Sequence, residues 1–95
     1  MNGRTIERAR RRLGLSKSSL GRILGINPST IYRWEAKRKP AIDPFHEKLL
    51  MMVVDVAALP RATDLGMELE RVAAEDPLRA LYYLLGVALD DGGGS

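Results

Sequence analysis

Cysteine is absent from the 95 residues, and histidine occurs once, at His46. The first absence removes disulfides, thiolate metal sites and cysteine nucleophiles. The second leaves no set of imidazoles for metal ligation or proton transfer. No metal, cofactor or catalytic constellation is expected, and His46 reads as a surface or half-buried helix residue. Long apolar runs are missing as well. The uncharged run Leu49 to Val54 is far shorter than the ~20 residues that span a bilayer. Met1 to Thr5 carries no apolar stretch of the kind found in signal peptides. Strand-like alternation and internal repeats are also lacking. These absences point to a cytoplasmic, non-enzymatic, all-α protein without membrane attachment.

What the chain does have is an uneven distribution of charge. Residues 1–40 hold eleven Arg and Lys against two acids, a net +9, whereas residues 41–95 hold four against ten, a net −6. A solvated charged face explains one basic helix, but it explains a cationic excess over forty residues poorly. A polyanion-binding surface beside a solubilising or partner-binding region fits better.

Six helices are expected. The first starts near Asn2 or Thr5 and ends at Leu13, where Gly14 supplies a left-handed stop. Ser16 caps a second over Lys17 to Leu24, ended by Gly25. Asn27 caps a third that opens on Pro28, where the missing N–H removes no helical bond, and that runs to about Lys37. Asp43-Pro44 and Asp76-Pro77 start a fourth helix to about Ala58 and a sixth to about Leu89; a fifth runs from Thr63 or Asp64 to about Ala74.

Only Gly25, Ile26 and Asn27 separate the second helix from the third. In the third, Ile31 and Trp34 share one side and turn inward with Leu13, Leu20 and Leu24. The opposite face then carries Pro28, Ser29, Tyr32 and Arg33. A guanidinium and two hydroxyls on a slim helix suit the DNA major groove, where arginine can bond guanine O6 and N7 in a fork. The short turn would fix the angle of presentation.

The stretch Leu13 to Pro40, LGLSKSSLGRILGINPSTIYRWEAKRKP, resembles the helix-turn-helix of the Cro/C1-type (XRE) family of phage and bacterial repressors. The likeness covers roughly residues 4–41 and includes Leu13-Gly14-Leu15, Leu20, Leu24-Gly25-Ile26, Thr30-Ile31 and Trp34-Glu35. It implies a lambda-repressor-like fold whose third helix reads bases through Ser29, Tyr32 and Arg33, with Asn27 and Pro28 at its leading end. Phosphate contacts are expected from Ser16, Lys17, Arg10, Arg22, Lys37, Arg38 and Lys39, since neutralising phosphates supplies much of the affinity of such proteins. The family usually has glutamine where this chain has Lys17, so the phosphate role is kept and an orienting amide is lost. It usually has alanine at Gly21. Some members pair a first-helix arginine with the glutamate after the tryptophan position, which implies an Arg10–Glu35 ion pair holding Arg10 beside the phosphates.

In the acidic half the fourth helix is apolar nearly all round, with Phe45, Leu49, Met52, Val53 and Val56 on one stripe and Leu50, Val54 and Ala57 on another. The last helix has Leu78, Leu81, Tyr82, Leu85 and Leu89 on one face, with Leu84 and Val87 on a second. A helix apolar on both sides is buried on both sides, and the expectation is a homodimer with Leu50, Val54, Tyr82, Leu85 and Leu89 at its interface. The chain thus divides into a helix-turn-helix DNA-binding region (1–41), a helical dimerisation extension (42–89) and a flexible tail (90–95). The expected function is a dimeric repressor binding a pseudo-palindromic operator in double-stranded DNA. The alternatives are the antitoxin of a toxin–antitoxin pair, whose acidic half grips a toxin, and a protein-interaction adaptor that has lost DNA binding.

Overall fold

Five of the six helices begin on a side chain that accepts a backbone N–H. The computed structural model describes residues 1–92 and contains no strand among them. Asn2 opens α1 (Gly3–Leu13), Ser16 opens α2 (Lys17–Leu24) and Asn27 opens α3 (Pro28–Ala36). Asp43 opens α4 (Pro44–Ala57) and Asp76 opens α6 (Pro77–Val87). Each of these short polar groups satisfies one of the amides that the first helical turn leaves without a partner. Helix α5 (Ala62–Glu75) differs. It has no side-chain cap, and it starts one residue ahead of the expected Thr63, because Arg61 takes the cap position directly after the turn at Pro60. A π-helical turn, Ala88–Gly92, extends α6 beyond the expected end at Leu89; residues 93–95 of the expected tail lie outside the described residues.

One core unites both halves of the chain. Ile6, Leu13, Leu20 and Ile31 from the first three helices join Leu50, Val53, Val56, Leu69 and Leu84 from the last three, all almost fully buried. Helix α1 packs on α3, α4 and α5, while α2 packs on α3, α5 and α6. The α1–α5 crossing is very close. A methyl group added at Gly66 would lie 1.6 Å from the Leu13 carbonyl oxygen, so only glycine lets the backbones meet there.

This packing corrects the sequence expectations for α4. Helix α4 does not require a second copy to cover its two apolar faces, because α1 lies against it together with α5, α6 and the π-turn. Leu50, expected at a dimer interface, is 1% exposed and belongs to the core of its own chain. Phe45, expected on the inward stripe of α4, stands in solvent. Helix α6 buries Ala80, Leu84 and Ala88, while Leu78, Tyr82 and Leu89 face outward. Small residues at Ala80 and Ala88 allow α6 to approach its neighbours closely.

Candidate nucleic-acid interface

The turn between α2 and α3 is built from three local devices. Gly25 takes a left-handed conformation (φ 73°), reached without strain by glycine, and its N–H donates to Arg22 O. The Ile26 N–H donates to Gly21 O at 2.8 Å. Asn27 Oδ1 then accepts both the Ser29 N–H at 2.9 Å and the Ser29 hydroxyl at 2.8 Å. With the entry fixed in this way, Ile31 and Trp34 turn into the core against α1 and α2, as their spacing implies. Asn27, Pro28, Ser29, Tyr32 and Arg33 are all exposed, forming one continuous polar edge along the free side of α3.

The far end of α3 is held just as firmly. The Gly3 N–H donates to Lys37 O at 3.1 Å. A side chain at Gly3 would meet the Trp34 and Lys37 carbonyl oxygens at 2.1 and 2.3 Å. Beside this contact, Arg10 Nε donates to Glu35 Oε2 at 2.7 Å and Nη2 donates to Oε1 at 3.1 Å, while Nη1 donates to Leu15 O at 2.9 Å. The Glu35 hydrogen bond raises the Arg10 pKa above its ordinary value, against the opposing effect of burial, so the cation persists at any working pH. Both side chains are nearly buried. The expected ion pair is therefore present, but the expected phosphate role of Arg10 is corrected. Each of its guanidinium nitrogens is engaged by protein, and the group sits beneath the surface as a tie between α1, the α1–α2 turn and α3.

The outward side chains have defined neighbours. Arg33 Nη2 donates to Thr30 Oγ1 at 3.2 Å, which steers the guanidinium along α3. Lys17 Nζ lies 5.5 Å from the centroid of the Tyr32 ring, within cation–π range. The Ser16 hydroxyl accepts the Ser19 N–H and donates to Ser19 Oγ at the exposed start of α2. Grooves flank α3 at both ends. One, of about 440 Å³, places Arg22 with Ser18, Asn27 and Pro28. The other, of about 450 Å³, places Lys37 and Arg38 with Asn2 and Arg4. Lys39 is exposed on the exit from α3.

Gly3 and Arg4 were missed in the sequence. A glycine just inside a helix start gives a weak signal of close backbone approach, and Arg4 was counted in the charge without being placed near α3. Of the residues expected at a dimer interface, Leu50 is internal, Val54 and Leu85 are half-buried, and Tyr82 and Leu89 are exposed. No helix among the described residues is long and apolar enough to cross a membrane.

Residues 3–49 match the family model described as the antitoxin Xre-like helix-turn-helix domain. The matched segment covers α1, α2, α3 and the first turns of α4. No curated protein and no solved structure matches the chain.

Proposed function

Residues 3–49 are an XRE-type helix-turn-helix domain, and we propose that the chain uses it as a sequence-specific, double-stranded-DNA-binding transcriptional repressor. The observation that carries this reading is the exposed polar edge of α3, fixed at one end by the Gly25 turn and at the other by Gly3 and the Arg10–Glu35 pair. Preorganisation matters because a helix held at a set angle loses little freedom on entering the groove. In this reading Arg33 forks onto a guanine, and Ser29 and Tyr32 meet base edges or neighbouring phosphates, with Asn27 and Pro28 at the leading end. Ser16, Lys17, Arg22, Lys37, Arg38 and Lys39 contact the sugar–phosphate backbone, with Arg4 added and Arg10 reassigned to support.

Residues 1–41 thus act on DNA in the cytoplasm, and residues 42–89 support dimerisation. A two-fold dimer reads pseudo-palindromic half-sites one helical turn, about 34 Å, apart. Repression follows from occupying a promoter, including the protein's own. The test is Arg33→Ala. The reading expects a loss of about 1–3 kcal/mol at the cognate site and relaxed preference at one base pair. Equal weakening on every duplex would make Arg33 a phosphate contact instead.

A second reading is supported by the printed family description, in which the matching domain is that of an antitoxin. Here the acidic half, net −6, holds a toxin while the basic half holds the operator. Co-purification with a stoichiometric partner encoded beside it supports this reading. A homodimer that remains alone when that neighbour is co-expressed rejects it.

A further inference from the structure

We propose that Lys17 is a positioning residue for base reading: its ammonium, seated on the Tyr32 ring, holds that ring where it meets the 5-methyl group of a thymine in the operator. The proposal rests on the DNA reading above and names one base feature that the α3 edge selects. Tyr32 is 63% exposed and is the one large apolar side chain that α1, α2 and α3 leave in solvent. The rest of the edge offers hydroxyls, an amide and a guanidinium, with Pro28 at its leading end. In the major groove, the apolar feature by which one base pair differs from another is the thymine methyl. The exposed ring and that methyl are therefore matched in chemistry.

What fixes the ring is Lys17. Its Nζ lies 5.5 Å from the ring centroid, so the positive charge meets an electron-rich face. Local electrostatics favour this contact. Lys17 is the first residue of α2, where the helix dipole disfavours a cation. The Tyr32 face supplies the negative potential that the helix end does not. Both side chains line a cleft of about 170 Å³ with Glu7, Glu35 and Ala36, where α1, α2 and α3 come together. The two carboxylates of this cleft are already paired, Glu35 with Arg10 and Glu7 with Arg11, and Tyr32 is left as the partner of Lys17. One side of the ring is thus engaged by α2 while most of it stays in solvent. A ring held before binding loses less freedom when it meets the methyl group. An ammonium carries more than one N–H, so Lys17 can lie on the ring and still donate to a phosphate.

The test uses the full chain and its selected duplex, with each thymine replaced in turn by deoxyuridine, which removes the methyl group alone. Wild type should lose about fourfold in affinity at one thymine of each half-site, the worth of one buried methyl group. Tyr32→Ala should abolish that discrimination, and Tyr32→Phe should keep it. Lys17→Met, similar in length and uncharged, should cut it to about twofold or less, whereas Lys17→Arg, whose guanidinium also lies on aromatic rings, should restore it. Helical circular dichroism should be unchanged in these variants, because Tyr32 is exposed and Lys17 half-buried. In the free chain the Lys17 Hε resonances should lie upfield, in the ring current of Tyr32, and return to their ordinary position in Tyr32→Ala. Absence of that displacement overturns the positioning role. If Lys17→Met weakens all duplexes alike, lowers the salt slope by about one and leaves the methyl discrimination intact, Lys17 is a phosphate contact alone and the proposal falls. A wild-type chain that retards no duplex rejects the DNA reading and the thymine contact with it. Binding with equal affinity to every deoxyuridine duplex rejects the proposal and leaves the DNA reading standing.

Discussion

Helices α3 and α6 begin alike and end up presenting opposite chemistry. Each starts on an Asx-Pro pair, Asn27-Pro28 and Asp76-Pro77, and each turns a narrow apolar stripe inward. The outward face of α3 carries hydroxyls and a guanidinium in the basic half; that of α6 carries leucines and a tyrosine in the acidic half. Their supports differ as well. Helix α3 is pinned at both ends by close backbone contacts and a nearly buried ion pair, whereas α6 relies on packing and runs on into a π-turn. The same local grammar thus yields two different surfaces. The rigid polar edge of α3 suits reading a fixed lattice of base edges, whereas α6 leaves an apolar seam in solvent.

The largest break in this comparison should come from Glu35→Ala. It strips the partner from a nearly buried guanidinium, and removing one member of such a pair costs about 3–5 kcal/mol. Urea unfolding reads the loss; a change below about 1 kcal/mol would show that the pair does not anchor α3. Next, Gly3→Ala forces a methyl into the Trp34 and Lys37 carbonyls and should cost roughly 1–3 kcal/mol. It should weaken DNA binding, and titration of the variant against duplex reads that loss beside the loss of stability. Arg38→Ala should lower affinity for all duplexes alike and reduce the slope of log affinity against log salt by about one. A change confined to one sequence would move Arg38 from the rim to the bases.

The smallest effect concerns pH. Asp43 accepts hydrogen bonds from the His46 ring and backbone N–H, and these lower its pKa from the ordinary value. A carboxylate with a depressed folded pKa contributes stability that is complete above its unfolded value, about 3.9, and that is lost as pH falls through the lower folded value. Below about pH 4 the wild type should therefore lose stability slightly more steeply than Asp43→Asn. Equal acid limbs would show that this cap titrates without consequence.

The DNA-facing part was legible in the sequence because its determinants are local. Gly14, Ser16, Gly25, Asn27 and Pro28 fix helix ends within a few residues of themselves, and the spacing of Ile31 and Trp34 decides which way α3 turns. The Arg10–Glu35 pair came from resemblance, and only the packing shows that it lies beneath the surface. The acidic half was less legible. Whether Leu50 or Phe45 is inside depends on where α1 and α6 cross α4, and neighbouring residues do not encode that. In α6 the buried stripe runs through Ala80 and Ala88 as well as Leu84, and small residues give hydrophobic patterning little signal.

Selection of bound duplexes from a random library at low salt tests the central claim most directly. Enrichment of two inverted half-sites about one helical turn apart, with a guanine whose preference relaxes in Arg33→Ala, is the expected result. A pool that stays random, from a chain that retards no duplex even at low ionic strength, would mean that the edge from Asn27 to Arg33 does not read DNA.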